Sequence, residues 1–556
     1  MTGCEDKNLA LDRRSFLGVL GTGAFAVLSS GIAGLQAKAE AAGNPHGREI
    51  GPIPGPQRAI ESLCIREEAA SDEAQNSFTS HPVNGDENLY PNKIGNYSKG
   101  LLHDLNGEVN LNSYATYMHA LTTGKPSDFE AIILGGNVKL VNPQAGLAFD
   151  LEGADSQKLS SPPAPALASA QRAGEAVENY WMAVLRDVPF SQYATNALAQ
   201  AAIVEINNLS DFRGPQDPVT GKVSADTLFR GFTPGDLVGP YISQFLLQPF
   251  AFGCILINQT MQTYVPGIDY MTDFTSWLSV QNGQGPFAKN SLDPTHRYIR
   301  NGRDLSAYVH VDAPFEGGFN ASLILNGLNA PMNQGNPYIK SKTQSGFGTF
   351  GVPYIQSLLA EVHLRAIKAA WYQKWFVHRA LRPEEYGGLV HKTLSGIKNY
   401  PLHTDILNSA AVHQCFGQNG SYLLPHAFPE GCPQHPSYTQ GHATCAGALA
   451  TLLKAFFNES FIIPKPVVAS DDGLSLVPYT GADAAQITLG GEADKLAANL
   501  GIGRNHAAVH WRSDYQASLF LGEAVAISIL SDQRATYNEE FAGFTFTKFD
   551  GTTMTI

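Results

Sequence analysis

The sequence predicts an all-α fold: two packed helical bundles with an irregular N-terminal arm and long loops. Three observations carry this. Strand-like alternation is scarce, several stretches repeat apolar residues at helical spacing, and Gly, Pro and Asn collect between those stretches. At 556 residues, 43% hydrophobic and 16% charged, the chain can bury one large core or two smaller ones. Its formal net charge of −13 argues against nucleic acid or an anionic membrane as a partner. Any anion it holds must be met by a local cluster of cations.

Taken in order, the first element lies outside the fold. "DRRSFLGVLGTGAFAVLSSGIAGLQAKA" sets Arg13 and Arg14 before a Gly- and Ala-rich apolar stretch and closes on Ala37-Lys38-Ala39, an A-x-A cleavage signal. Residues 1–39 resemble a twin-arginine export leader, which implies a periplasmic or secreted protein. The Gly and Ser content argues against an uncleaved anchor, so no membrane contact is expected after cleavage. Residues 40–330 comprise an arm, rich in Gly, Pro and charge to about residue 92, and a first bundle. That bundle includes the helical patterns "SAQRAGEAVENYWMAVLRDVPF" and "ATNALAQAAIVEINNL". The passage "LNAPMNQGNPYIKSKTQSGFGTFGVPY" leads into residues 331–556, a second bundle built on "YIQSLLAEVHLRAIKAAWYQKWFVHRAL", "TCAGALATLLKAFF" and "DYQASLFLGEAVAISILSDQRATY". Of six cysteines Cys4 falls in the leader, and the others are too few for a disulfide scaffold and show no C-x-x-C spacing.

Three stretches of the second bundle carry chemistry. In "KWFVHRALRP", Lys374 and Arg382 are spaced to lean toward one point near a helix end that Pro383 enforces. Alone, this is a basic helix end favouring the macrodipole. "HPSYTQGHAT" places His435, Gly441 and His442 in a turn before a helix, and "GRNHAAVHWRSDY" places Arg504 ahead of His510, with Asp514 one helical turn after it. A single His at a helix end is ordinarily a satisfied structural residue. A Lys, two Arg, a Gly turn with exposed N–H groups and two histidines together are the inventory for holding a tetrahedral oxyanion and doing chemistry on it.

K-x7-R-P, P-S-x-x-x-G-H and R-x5-H-x3-D, in this order, resemble the signature shared by vanadium-dependent haloperoxidases and type-2 phosphatidic acid phosphatases. The Lys-to-Arg spacing and the wording H-P-S-Y-x-x-G-H are similar to the algal-type bromoperoxidases, as are "IGNYSKGLLHDLNGEV", "GPYISQFL" and "NGRDLSAYVHVDAPFEGGFNASLILNGL" outside the site. The resemblance implies a vanadate cofactor, hydrogen peroxide and bromide or iodide as substrates, organic acceptors for the hypohalous acid formed, and a homo-oligomer, either a dimer or a dodecamer.

Carried over by position, Lys374, Arg382 and Arg504 would hold the vanadate oxygens, with Lys374 also polarising bound peroxide. Gly441 would donate its N–H, His510 would be the metal ligand and His442 the acid–base residue. Gln440 stands where the family usually has Ser and would donate through its amide nitrogen. His435, where chloroperoxidases have an aromatic, favours bromide. Asp312 resembles the acidic partner of Arg504, with Asp514 as the competing candidate and a helix-capping role for Asp312 as the ordinary alternative. Two other functions fit the same residues: an acid phosphatase with His510 as nucleophile, and a non-catalytic oxyanion binder.

Overall fold

The structure, a computed structural model, describes residues 51–75 and 79–556; the leader lies outside the described residues. Helices dominate. Among them are α1 (Gly55–Gln75), α2 (Ala170–Val184), α3 (Gly302–Val311), α4 (Glu316–Gly327), α5 (Val352–Tyr372), α6 (Pro383–Leu394), α7 (Gly441–Phe456), α8 (Leu489–His506) and α9 (Arg512–Arg534). Among the described residues strands occur as four antiparallel pairs: β1 (Phe250–Phe252) with β2 (Ile255–Ile257), β3 (Met261–Tyr264) with β4 (Leu292–Arg297), β5 (Val467–Ala469) with β6 (Leu476–Pro478), and β7 (Thr545–Thr547) with β8 (Thr553–Thr555). Two-stranded ribbons this short form no layer of their own. One hydrophobic cluster draws residues from Ala154 to Ile556, on both sides of residue 330. Cys254, Cys415, Cys432 and Cys445 form no disulfide. No helix among the described residues is long and apolar enough to cross a membrane.

α7 is the axis of the second half. Every residue from Ala443 to Phe456 is buried; the polar ones are satisfied within, Thr444 and Thr451 on the helix's own carbonyls and Lys454 on Asp494 at 2.8 Å. It packs against α9, α8 and α5. The contact with α9 is made backbone to backbone, because glycine stands on both sides. A Cβ on Gly447 would lie 2.5 Å from the Leu519 carbonyl oxygen, and one on Gly522 would lie 2.0 Å from that of Thr444. The pairs Ser437–Asp514, Gln440–Ser518 and Thr444–Gly522 advance along both chains in the same direction. Both helices therefore begin at the same place and turn their positive dipole ends toward it.

Two expectations are corrected. The arm expected to be irregular contains α1, because its Glu, Ala and Arg residues are strong helix formers even with no side chain buried. Pro383 does not close the helix that bears Lys374; it opens α6, where its missing N–H costs nothing.

Gly522→Ala should lower the thermal unfolding midpoint by a few degrees, since overpacking costs about 1–3 kcal/mol and neither backbone can yield cheaply. Gly327→Ala, whose Cβ would meet nothing within 4 Å, should leave the midpoint unchanged or slightly raised. Differential scanning calorimetry on the two variants checks both.

Candidate active site

α5 does not stop at Tyr372. It runs into a π-type turn, Gln373–His378, after which Arg379 adopts a left-handed φ of 42° and reverses the chain. Lys374 lies in this turn, fully buried, and its Nζ donates to the Pro436 and Ser437 carbonyls at 2.8 and 2.7 Å. The lysine thereby pins the turn before α7. Arg382 ends the reversal and spreads its guanidinium across two loops. It donates to the His435 carbonyl at 2.8 Å, His435 Nδ1 at 2.8 Å, the Val509 carbonyl at 2.7 Å and His510 Nε2 at 3.0 Å. Arg504 enters from the last turn of α8, its Nη1 on the Val309 carbonyl at 2.8 Å and its Nε without a partner.

None of these three cations has a carboxylate within ion-pair distance, although each is buried, and they are close enough to repel one another. Burial, with Arg382 and Arg504 nearby, pulls the Lys374 ammonium well below its usual range. Burial and Arg382 bring Arg504 down to about 10. The same field, after burial, keeps His510 and His435 neutral far below their ordinary range. Buried charges without counter-ions are expensive, so this cluster is built around an anion. The start of α7 completes it. No side chain caps that helix, and Gly441 supplies its first amide. These features fit vanadate.

Hydrogen bonds assign the imidazole tautomers. A guanidinium only donates, so Arg382 at His510 Nε2 means that Nε2 carries a lone pair and Nδ1 the proton. That proton goes to Asp514 Oδ2 at 2.8 Å. Asp514 also accepts from the Ser437 hydroxyl and the Trp511 amide, and burial raises its carboxyl above the ordinary range. His435 Nδ1 faces the Arg382 guanidinium at 2.8 Å and the Pro436 carbonyl at 3.1 Å; the shorter contact makes it an acceptor toward Arg382, which leaves the carbonyl without its proton. His442 Nε2 donates to Asp312 Oδ1 at 3.0 Å, which leaves Nδ1 to exchange a proton; its side chain is 25% exposed, the most open of the group.

The structure thus brings together Lys374, Arg382, Arg504, His435, Gly441, His510, His442 and Asp312. Two expectations do not hold. Asp312 makes its hydrogen bond to His442, not Arg504; it is the C-cap of α3, and Arg504 feels it only as a nearby charge. Asp514, the competing partner, belongs to His510. The Gln440 side chain donates through Nε2 to the Gly501 carbonyl at 2.8 Å, and its remaining Oε1 is an acceptor that cannot serve an oxyanion. The amide is long enough to reach α8, where a serine hydroxyl would have stayed in the turn.

Sequence reasoning missed Ser437, Trp371 and two main-chain acceptors. The Trp371 ring lies 4.8 Å from that of His435, and a Cβ on Gly441 would be 3.2 Å from it. Its one signal is the helical spacing to Lys374. Among the described residues Glu384, His426 and Cys432 also bring donor atoms within 4.8 Å of one another. Its carboxylate is already paired with a cation: Lys99 Nζ lies 2.8 Å from Glu384 Oε2, both side chains fully buried.

Residues 358–539 match the family described as the VCPO second helical-bundle domain. The vanadium-dependent bromoperoxidases of Ascophyllum nodosum and Corallina officinalis are 34% and 36% identical to the chain, each match covering 90% of it and 92% and 98% of the relative. In structure, the homohexameric second vanadate-dependent bromoperoxidase (AnII) of Ascophyllum nodosum superposes with a TM-score of 0.86 at 31% identity, over 96% of this chain and 94% of that one.

Arg504→Met removes one of three mutually repelling charges at the cost of a single hydrogen bond to protein. The anion-free variant should unfold at a midpoint no lower than the parent's, while the rise in midpoint produced by millimolar vanadate in the parent should be lost. Thermal scans with and without vanadate decide this.

Proposed function

The chain belongs to the family of vanadium-dependent bromoperoxidases, and we propose that it oxidises bromide, and iodide more readily, with hydrogen peroxide to hypohalous acid that halogenates organic acceptors. The observation that carries this reading is the set of three buried cations without carboxylates, gathered at an uncapped helix start with an imidazole lone pair facing one of them. No observation favours the phosphatase or the passive binder.

Vanadate, when bound, supplies a Lewis-acidic centre that activates peroxide toward halide. The chain does the rest. Lys374, Arg382 and Arg504 neutralise the oxyanion and Gly441 N–H donates to it. His510 presents Nε2 as the protein ligand, held in that tautomer by Asp514. Forming hypohalous acid from bromide and peroxide consumes one proton, and His442 Nδ1 is the atom placed to deliver it, with Asp312 holding the opposite nitrogen. His435 touches Arg382 and Trp371, so its bearing on halide preference runs through the arginine.

Export by the twin-arginine route, from Arg13 and Arg14, places the protein in the periplasm or outside the cell; Arg13→Lys with Arg14→Lys should leave it unexported in fractionated cells. The homohexameric relative supports a homo-oligomer, and light scattering would distinguish that size from a dimer or dodecamer.

Monobromodimedone bromination with and without vanadate tests the activity. Bromination that does not depend on vanadate, or p-nitrophenyl phosphate hydrolysis by the apoprotein with no bromination at all, would overturn the reading. His510→Ala should lose bound vanadium and bromination together, whereas His442→Ala should keep vanadium and lose about 10²–10⁴ in turnover. Metal analysis beside steady-state rates separates the two.

A further inference from the structure

Arg504 is the least tethered of the three cations. Lys374 and Arg382 are each held by two or more acceptors; Arg504 has one carbonyl and the ring of Phe428, whose centroid is 5.3 Å from Cζ. Phe428 is in turn covered by the His310 imidazole, with centroids 3.7 Å apart and planes within 9°. His310 is itself fixed at both nitrogens. The Tyr264 hydroxyl donates to Nδ1, and Nε2 donates to Glu430 Oε1 at 2.5 Å. The Glu430 main chain is anchored by Lys99 Nζ at 2.7 Å. His310 and Glu430 reach the surface, with side chains 20% and 31% exposed.

The end of α3 therefore does three jobs in four residues. Val309 gives Arg504 its carbonyl, His310 gives Phe428 its stacking partner, and Asp312 gives His442 its carboxylate. We propose that His310, clamped between Tyr264 and Glu430, is a positioning residue for the oxyanion site: through Phe428 it holds the Arg504 guanidinium in place for vanadate. This rests on the reading of Arg504 as a vanadate donor. A guanidinium over an aromatic face is confined without spending any N–H group, which leaves the donors for the anion. A carboxylate partner would have claimed them. His310 touches no reacting atom, so its effect falls on the affinity for vanadate and not on the chemical step.

The test measures vanadate affinity of the full-length apoprotein directly, by equilibrium dialysis, together with turnover at saturating vanadate. His310→Ala and Phe428→Leu should each weaken vanadate binding about tenfold, with turnover at saturation within twofold of the parent. His310→Phe, which keeps a ring against Phe428, should recover most of the affinity lost in His310→Ala. Arg504→Ala is the control and should weaken binding more than either. Parent-like affinity in both His310→Ala and Phe428→Leu, with Arg504→Ala impaired, overturns the proposal alone. So does a large loss of turnover at saturating vanadate in His310→Ala. Parent-like affinity in Arg504→Ala overturns the site reading and the proposal with it. Should Phe428→Leu fold poorly by its apoprotein midpoint, the part-exposed His310 pair still decides.

Discussion

Three positive charges are buried around one point with no carboxylate among them, and the surrounding structure exists to tolerate that. Lys374 and Arg382 are satisfied by main-chain carbonyls and imidazole nitrogens, partners that quench hydrogen-bond demand and leave net charge intact. The three nearby acids are engaged elsewhere: Asp514 with His510, Asp312 with His442 and Glu430 with His310. Had any of them reached an arginine, the site would have been neutralised by its own chain and would have had little use for an oxyanion. Stability is given up here so that the free energy of anion binding can be large.

The scaffold converts that surplus into a directed field. α7 and α9 run in step from a common start, and the pair of glycines at their contact sets their spacing with no side chain between them. The turn before α7 and the turn before α9 are then tied to each other by Arg382 and by Ser437 to Asp514. Lys374 and His510 come from segments far apart in sequence, yet both are held through Ser437, whose carbonyl meets the lysine and whose hydroxyl meets the Asp514 that holds the imidazole. A displacement at one is felt at the other.

Much of this was legible beforehand, for physical reasons that differ by residue. The helical bundle announced itself because apolar spacing and Gly/Pro punctuation are local. Lys374, Arg382, Arg504, His442 and His510 are each ordinary at a helix end, and were legible because together, with a Gly turn, they make the inventory an oxyanion needs and fall at the positions of a known motif. What escaped is non-local. Whether Asp312 would meet Arg504 or His442 depends on how the end of α3 lies against the start of α7. Gln440 turning to Gly501 could not be seen because it needs the position of α8. The carbonyls of Val309 and Val509 carry no sequence signal at all, and Pro383 misled because proline opens helices as readily as it closes them.

The buried Lys99 has a consequence in electrochemistry. Its ammonium pairs with the carboxylate of the one triad of carboxylate, imidazole and thiol donors found among the described residues, and Cys432 of that triad shares the Val509 carbonyl with Arg382. Iron or copper lodged there could cycle between oxidation states and, with peroxide as a substrate nearby, release radicals. A lysine has no second oxidation state, and an ion that has one would have to displace it from the buried carboxylate.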